Sequence, residues 1–326
     1  MIHRIPSGTR DVLPDERGEL RVITEALRGE FERRGYGEVS TPALEYESVL
    51  GRAEMAGAAP GYRLFEESGE VLVLRSDMTV PIARVVATRY PREEVPLRFC
   101  YLAECWRGVR PQRGQSREGL QAGVALIGAV APGGTAEALG VLCGALEAAG
   151  LRDYRVGLGD ASLYPRLMAT LGVPETERGD LLDALARRDF VDLESRLTAA
   201  RVSSGTAEVL LRVPQMRGGP EVLAGAPESA AEAVAGLREV HALLEPGVAG
   251  RVIFDLGLVR SIGYYTGAIF EVYDPALGAP IGGGGRYDEL LGRFGRPLPA
   301  VGFALEVDRL HIALAGEERG TGALAR

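Results

Sequence analysis

Arginine, tyrosine and glycine concentrate in three segments of the chain, at positions where packing alone would not require them. These segments are residues 75–79, 101–128 and 258–310. The planar guanidinium group of arginine suits a phosphate or a carboxylate, and tyrosine offers an apolar ring with one hydroxyl group. Four consecutive glycines at residues 282–285 would let the backbone approach a ligand closely. The combination favours a ligand site, although each residue alone could be a surface arginine, a core tyrosine or a flexible turn.

The composition excludes several other chemistries. The chain has 326 residues, of which 46% are hydrophobic and 25% are charged, so it can form a large folded core. All 37 basic residues are arginine, which excludes a Schiff-base lysine and a phosphate-binding loop that depends on lysine. The net charge of −8 provides no general attraction for nucleic acid.

We expect a cytoplasmic protein without a membrane segment, a metal ion or a cofactor. No apolar run reaches the roughly 20 residues of a membrane span, and residues 1–11 are too polar for a signal peptide. Three cysteines are too few for a disulfide framework in a chain of this length. Cys100 and Cys105 lie in one predicted strand at an odd spacing, so they should point to opposite faces and not share a metal ion.

Hairpins and helices must position the arginines and tyrosines. The spacing of Leu20, Ile23 and Leu27 predicts a long amphipathic helix over residues 15–35. Further helices are predicted at residues 78–88 and 135–149, and strands at residues 38–42, 62–65, 71–75, 97–107, 119–128 and 154–158. Because these strands follow hairpins rather than regular crossover helices, the sheet should be mostly antiparallel.

The middle of the chain differs from the rest in its amino-acid composition. Residues 165–244 contain leucine- and alanine-rich helical segments, such as residues 180–187 and 229–244. Strand-like sequence then returns at residues 252–256, 268–273 and 300–304. We therefore expect an α+β core from residues 1–164 and 245–326, interrupted by a helical insertion at residues 165–244.

The order of the motifs resembles that of the catalytic core of histidyl-tRNA synthetase, a class II aminoacyl-tRNA synthetase. Ser-Gly-Thr-Arg-Asp at residues 7–11 is similar to the N-terminal signature of that family. Further matching segments follow in the family's order at residues 74–79, 99–112, 117–128, 258–266 and 282–310. The resemblance covers nearly the whole chain. It implies a class II synthetase-like fold, with a mixed, mostly antiparallel sheet flanked by helices.

The resemblance also implies a pocket for a histidine-like amino acid. Asp77 and Thr79 would contact its amino group, since a carboxylate pairs with an ammonium. Arg107 would hold the α-phosphate of ATP, Arg309 the outer phosphates, and Arg260 would stabilise charge that develops during adenylate formation. The pocket implied in this way is Asp77, Thr79, Tyr101, Arg107, Gln121, Arg260, Tyr264, Tyr265 and Tyr287, and the vestigial nucleotide site is Arg107 and Arg309.

Four departures from the family pattern argue against catalysis. Val109 stands where the family has the glutamate that binds the adenine amino group. Ala125 and Gly263 stand where the family has carboxylates, and a charge-assisted hydrogen bond contributes about 1.5 to 3 kcal/mol. Glu306 replaces a glycine of the last motif, which adds a negative charge beside the expected phosphates. We therefore expect weak ATP binding or none.

A synthetase-like core with these departures resembles one group in particular, the regulatory subunits of ATP phosphoribosyltransferase. Only residues 310–326 follow the last motif, so we expect no anticodon-binding domain and no binding of tRNA. The resemblance implies a non-catalytic partner of a short catalytic subunit, needed for its activity and for feedback inhibition by histidine in the first step of histidine biosynthesis. It also implies a homodimer, formed through the long N-terminal helix, within a hetero-oligomer that we expect to be a hetero-octamer.

Two alternatives remain open from the sequence. A truncated synthetase paralogue could still form an aminoacyl adenylate for an acceptor other than tRNA, since three phosphate-facing arginines are retained. A tRNA-binding module without chemistry is disfavoured by the acidic net charge. Within the regulatory hypothesis, histidine could bind this pocket, the catalytic subunit or the interface between them, because Ala125 and Gly263 lack a carboxylate.

Overall fold

A mixed nine-stranded sheet forms the centre of the computed structural model, which describes residues 4–53, 61–108, 116–260 and 263–324. The strands in chain order are β1 (Gly37–Glu38), β2 (Leu44–Tyr46), β3 (Arg63–Phe65), β4 (Val71–Leu74), β5 (Leu97–Trp106), β6 (Glu118–Ile127), β7 (Arg155–Asp160), β8 (Arg217–Gly218), β9 (Val252–Asp255), β10 (Ala268–Tyr273), β11 (Gly282–Arg286) and β12 (Ala300–Glu306). The large sheet has the order β1-β5-β6-β12-β11-β10-β7-β9-β8, and β2, β4 and β3 form a separate small sheet. Only β1–β5 and β7–β9 are parallel among the paired strands of the described residues, so the predicted α+β fold with a mostly antiparallel sheet is confirmed.

Helices cover both faces of the large sheet. In chain order they are α1 (Pro14–Arg33), α2 (Glu47–Gly51), α3 (Thr79–Arg89), α4 (Gly133–Ala148), α5 (Leu163–Thr170), α6 (Glu175–Ala186), α7 (Phe190–Ala199), α8 (Ser204–Arg212), α9 (Ala231–Ala242), α10 (Pro246–Ala249) and α11 (Val307–Leu324). Apolar side chains of α1, α4 and α11 pack on one face, and those of α3 pack on the other. Across the described residues, no helix is long and apolar enough to cross a membrane.

The long N-terminal helix α1 forms as its sequence predicts. Proline stands in its first turn, where the missing amide donor costs nothing, and two acidic residues follow near the positive end of the helix dipole. Leu20, Ile23, Leu27 and Phe31 are buried against α4, α11 and the sheet. Gly35 follows the helix with a φ of +82°, a conformation that favours glycine. The apolar side of α1 is therefore used within the chain.

The predicted hairpin of β5 and β6 has a continuous antiparallel ladder from Leu97–Ile127 to Trp106–Glu118. Side chains alternate along β5, so Cys100 joins the core beneath α1 and α4, whereas Cys105 joins the core beneath α3. The two thiols thus lie on opposite faces of the sheet, as predicted. Most of the segment that connects the two strands, residues 109–115, lies outside the described residues.

Two sequence-based expectations differ from the structure. Of the strand predicted at residues 38–42, only Glu38 lies in a strand, as part of β1 (Gly37–Glu38) in the large sheet, and the next strand, β2 (Leu44–Tyr46), joins the small sheet. The glycine run, which was expected only to bring the backbone near a ligand, forms β11 inside the sheet, between β10 and β12. Glycine has a low strand propensity because it has no side chain to pack, so pairing on both sides determines this strand.

The region predicted as a helical insertion contains most of α5 and all of α6 to α9, so its helical character is observed. It also contains β8, which pairs with β9 at one end of the large sheet. The hairpin predicted at residues 62–65 and 71–75 is present as β3 and β4. The division of the chain into core and insertion at residues 165 and 244 stays a prediction.

Candidate functional site

A cavity of about 370 Å³ lies on the face of the large sheet that α3 covers. Strands β6, β11 and β12 contribute its floor, and the segment after β9 contributes Arg260, Tyr264 and Tyr265. Every residue that the family resemblance assigns to the pocket lines this cavity: Asp77, Thr79, Tyr101, Arg107, Gln121, Arg260, Tyr264, Tyr265, Tyr287 and Arg309. The structure thus brings together residues from distant parts of the chain, while the identity of their ligand stays a prediction.

One end of the cavity is closed by an ion pair within the chain. Gln121 and Glu306 are direct partners in the β6–β12 ladder. Glu306 Oε1 accepts hydrogen bonds from Arg107 Nη1 at 2.9 Å and from Gln121 Nε2 at 2.9 Å. Burial alone would lower the pKa of Arg107, but the Glu306 carboxylate outweighs this effect and raises it. The arginine predicted to hold an α-phosphate therefore already has an anionic partner.

The other two phosphate-facing arginines also have acceptors in the chain. Arg260 Nη1 lies 3.5 Å from Glu271 Oε1, and its guanidinium carbon lies 5.6 Å from the centre of the Tyr265 ring. Arg309 Nη1 donates a hydrogen bond to the carbonyl oxygen of Pro280 at 2.6 Å. The cationic groups that would bind a polyphosphate are thus already engaged with acceptors or a ring of the protein.

Asp77 is held at the start of α3. Its Oδ1 accepts a hydrogen bond from the Thr79 backbone amide at 2.7 Å, and the positive end of the helix dipole favours a carboxylate at this position. The Thr79 hydroxyl in turn accepts a hydrogen bond from the Tyr264 hydroxyl at 3.2 Å. Among the described residues, Asp77 forms no ion pair, in contrast to Glu271 and Glu306 of the same cavity. Its carboxylate is therefore suited to a ligand cation.

The opposite end of the cavity is lined by tyrosines. The rings of Tyr264 and Tyr265 lie 5.0 Å apart between centres, and Tyr287 stands edge-on to Tyr264 at 5.7 Å. Burial raises the pKa of Tyr101, Tyr264 and Tyr287 well above the usual value, so their hydroxyl groups stay uncharged at neutral pH. Together these rings offer apolar walls with neutral hydrogen-bonding groups.

Two glycines in the sheet make room for these hydroxyl groups. A Cβ atom at Gly123 would lie 2.5 Å from the Tyr101 hydroxyl oxygen, and one at Gly302 would lie 3.0 Å from the Tyr287 hydroxyl oxygen. Sequence reasoning did not assign these glycines or Glu271 to the site. The alternation of side chains in the predicted strands restricts each residue to one of two faces, but it does not show which face bears the cavity.

The departures from the synthetase pattern fall in different surroundings. Ala125 lines the cavity, so the missing carboxylate at this position changes the site directly. Gly263 is exposed and lies outside the lining, and Val109 lies outside the described residues.

Arg75, from the first arginine-rich segment, is buried and donates hydrogen bonds to the carbonyl oxygens of Thr41 at 2.7 Å and Glu104 at 2.8 Å. It supports the wall of the cavity rather than lining it.

Metal ligation has no support in the described part of the chain. The three cysteines are buried and free, and no group of three or more histidine, cysteine or acidic side chains is placed to hold a metal ion there. The cavity chemistry therefore comes from arginine, tyrosine, amide and carboxylate groups.

Comparison with known proteins decides the family. The sequence model described as histidyl-tRNA synthetase matches residues 8–310. An ATP phosphoribosyltransferase regulatory subunit of Symbiobacterium thermophilum is 43% identical, over 97% of this chain and 81% of its own length. Another, from Desulforamulus reducens, is 39% identical over 95% of this chain and 79% of its own length. The chain belongs to this family of regulatory subunits, which is related to histidyl-tRNA synthetase.

Solved structures agree with the fold of this family. A chain described as an ATP phosphoribosyltransferase regulatory subunit/histidyl-tRNA synthetase from Bacillus halodurans has a TM-score of 0.88 and 32% identity, and the match covers 95% of this chain and 83% of that one. A histidyl-tRNA synthetase from Nostoc sp. PCC 7120 has a TM-score of 0.78 at 22% identity, covering 98% of this chain and 76% of that one, so it supports the fold alone. The class II synthetase-like fold predicted from the motifs is confirmed.

Proposed function

We propose that this chain is the regulatory subunit of an ATP phosphoribosyltransferase. It performs no chemistry itself, is needed for the activity of a short catalytic subunit, and transmits feedback inhibition by histidine in the first step of histidine biosynthesis. Its membership of the regulatory-subunit family, over nearly the whole chain, supports the partner and the pathway. A cytoplasmic location follows from this role as a further expectation.

The observation that carries the non-catalytic role is the ion pair of Arg107 with Glu306. A synthetase needs free arginines for the phosphates of ATP, whereas here Arg107 and Gln121 both bind the Glu306 carboxylate at 2.9 Å. Two like charges about 4 Å apart repel each other by about 4 kcal/mol at an effective dielectric constant near 20, and solvent at this half-open site reduces that figure. Arg107 and Arg309 are therefore remnants of a nucleotide site.

We assign histidine sensing to the rest of the cavity. The Asp77 carboxylate and the Thr79 hydroxyl would bind the ammonium of histidine, and the tyrosines would surround its ring. A cavity of about 370 Å³ is large enough for a single amino acid. Because Glu306 holds Gln121 and Arg107 in place, this half of the site is organised without a nucleotide.

Histidine can inhibit the catalytic subunit only if it binds two states of the assembly with different affinities. The cavity is formed by the sheet, by the start of α3 and by the segment after β9, so binding would tie these elements together. We propose that the histidine-bound arrangement favours the inhibited state of the complex.

The proposed assembly contains homodimers of this chain, joined through α1, within a hetero-octamer. Since Leu20, Ile23, Leu27 and Phe31 of α1 pack inside the chain, a second copy would contact the outward side of this helix. Val22 lies on that side and is 67% exposed. No tRNA is expected in the assembly, because the net charge of −8 gives little attraction for a polyanion.

Reconstitution tests this function. The purified chain is mixed with the short catalytic subunit of the same organism, and formation of phosphoribosyl-ATP is measured with and without histidine. We expect this chain to stimulate the reaction strongly and histidine to inhibit the stimulated reaction. Absence of stimulation at every ratio of the two chains would overturn the proposal. Amino-acid-dependent pyrophosphate exchange by this chain alone would instead point to adenylate formation.

A further inference from the structure

We propose that the cavity selects an amino acid whose ring is uncharged, so that it binds the neutral imidazole form of histidine rather than the imidazolium form. This inference rests on the proposed histidine sensing and specifies the chemistry of the ligand that the site accepts. It depends on where the charged groups of the cavity lie and on what each of them already binds.

The acidic groups of the cavity are not available to a charged ring. Glu306 accepts hydrogen bonds from Arg107 and Gln121, and Glu271 lies beside Arg260 and also accepts a hydrogen bond from the Tyr273 hydroxyl at 2.7 Å. The remaining carboxylate in the lining, Asp77, is the partner expected for the ligand ammonium. The charged and titratable groups that face the cavity are Asp77, Tyr101, Arg107, Arg260, Tyr264, Tyr265, Glu271, Tyr287, Glu306 and Arg309, with Cys105 beside them in the same core.

The tyrosine end offers hydrogen bonds that match a neutral ring. A neutral imidazole has one N–H donor and one acceptor nitrogen, which uncharged hydroxyl groups can satisfy, whereas an imidazolium has two donors and a positive charge that hydroxyl groups do not neutralise. Each tyrosine hydroxyl can donate one hydrogen bond and accept another, so the hydroxyl groups of Tyr101 and Tyr287 can serve either nitrogen of a neutral ring. Tyr264 donates its hydroxyl proton to Thr79, so towards a ligand its oxygen can act as an acceptor.

A positively charged ring would lose more hydration free energy at this end of the cavity than it would gain by contact with the protein. Attraction to the faces of tyrosine rings is weaker than the hydration that a buried cation gives up, unless an anion accompanies it. Arg260 adds to the cost, because its guanidinium lies over the Tyr265 ring, which touches Tyr264. Ala125 pairs with Gly302 beside the Tyr287 hydroxyl oxygen, and it contributes a methyl group rather than an anion to this wall. The balance therefore favours a ring without charge.

The dissociation constant of histidine for the reconstituted complex, measured calorimetrically at pH 7.5, 6.5 and 5.5, tests this inference. An imidazole with a pKa of about 6.5 is mostly neutral at the highest of these pH values and mostly charged at the lowest. We expect binding to weaken about tenfold from pH 7.5 to pH 5.5. The matched probe is 1,2,4-triazol-3-ylalanine, whose ring has the same shape and stays uncharged, and we expect its affinity to stay constant.

The outcomes separate this inference from the function on which it rests. Histidine binding that is constant or tighter at pH 5.5 would overturn the neutral-ring inference and leave histidine sensing intact. An equal loss of affinity for both ligands would also overturn it, because the protein rather than the ligand ring would then titrate. If neither ligand binds at any pH, the proposed sensing site and this inference both fall.

A variant supplies an independent check. In Ala125→Glu, a carboxylate enters the wall at the tyrosine end, and we expect it to favour the imidazolium form. Histidine should then bind at least as tightly at pH 5.5 as at pH 7.5, while the triazole analogue should bind no more tightly at pH 5.5 than at pH 7.5. Retention of the wild-type pH profile in a folded Ala125→Glu protein that still binds histidine would count against the inference. If this variant does not fold, the two ligands on the unmodified complex still decide the question.

Discussion

Among single residues, Glu306 separates this cavity most clearly from one that could hold a nucleotide. Its carboxylate occupies Arg107 and Gln121 together, so the charge that a phosphate would supply is already part of the protein. A synthetase-like glycine at position 306 would leave Arg107 without that partner.

Replacement of this carboxylate should restore anion binding. In Glu306→Gly, Arg107 loses its ion-pair partner, and we expect inorganic pyrophosphate to bind at least tenfold more tightly than to the unmodified chain. Removing repulsion worth up to about 4 kcal/mol at an effective dielectric constant near 20 makes this size of effect reasonable after solvent screening. Isothermal titration calorimetry with inorganic pyrophosphate measures it.

The control for this prediction is Glu66→Gly, which changes the net charge equally at an exposed position outside the cavity. We expect this control to bind pyrophosphate no better than the unmodified chain. Equal affinities of the two variants would mean that the total charge matters and that Glu306 has no local effect on the cavity.

At the level of secondary structure, β11 contributes to the floor of the cavity through its four consecutive glycines, Gly282 to Gly285. Gly283 faces Arg260, and a Cβ atom in its place would overlap Arg260 Nη1 and lie 2.5 Å from the Phe270 carbonyl oxygen. The strand therefore lets Arg260 lie close to the sheet, where it meets Glu271 and Tyr265.

We expect Gly283→Ala to lower the free energy of unfolding by about 1 to 3 kcal/mol, the usual cost of overpacking a close contact. Gly236→Ala is the matched control, because it adds the same methyl group in α9 with no atom within 4 Å. Gly236→Ala should raise the free energy of unfolding by about 0.5 to 1 kcal/mol. Urea denaturation of both variants measures the difference, and a similar effect in the two would contradict the role given to β11.

The sequence predicted which residues meet in the cavity better than it predicted how they bind one another. Asp77, Arg260 and Arg309 were assigned through the order of family motifs, and they do line one cavity. The hydrogen bond between Gln121 and Glu306 joins residues 185 positions apart and depends on the register of β6 against β12. Local periodicity determines that each strand forms, but register is determined by the packing of the whole sheet.

The dependence of strand pairing on the whole sheet also explains why the residues of β11 did not predict a strand. Four glycines carry no alternating apolar pattern, so the residues themselves indicate a turn more readily than a strand. Neighbouring strands pair with it on both sides, and this long-range pairing overrides the weak local preference. α1, in contrast, was predicted well because its apolar residues recur at the helical period along one continuous segment.

For the whole molecule, three buried thiols should make stability depend on alkaline pH. Burial raises the pKa of Cys100 to about 11, of Cys105 to about 12 and of Cys143 to about 11. In the unfolded chain thiols ionise near pH 8.5, so above that pH the unfolded state holds fewer protons than the native state. The free energy of unfolding should then fall as pH rises, by at most about 1.4 kcal/mol per pH unit for each thiol.

Urea denaturation at intervals from about pH 7.5 to pH 10 measures this dependence. We expect little change below pH 8 and a progressive loss of stability above it. In Cys143→Ala, one of the three titrating groups is absent, so the loss above pH 8.5 should be smaller. A free energy of unfolding that stays constant up to pH 10 would show that the thiols are accessible in the native state.

In the proposed function, feedback inhibition of the assembled complex by histidine depends on this cavity. Asp77→Asn removes the charge that would bind the ligand ammonium, but it keeps an oxygen that can accept the Thr79 amide hydrogen bond at the start of α3. Asp160→Asn is the matched control, since Asp160 accepts a similar hydrogen bond from the Ser162 amide at 2.8 Å and does not line the cavity.

The decisive measurement is the histidine concentration that halves phosphoribosyl-ATP formation in complexes built with each of these chains. Loss of a charge-assisted hydrogen bond, worth about 1.5 to 3 kcal/mol, should raise this concentration at least tenfold for Asp77→Asn. For Asp160→Asn we expect the value of the unmodified chain. An unchanged half-inhibiting concentration in a stimulated Asp77→Asn complex would contradict histidine sensing by this cavity.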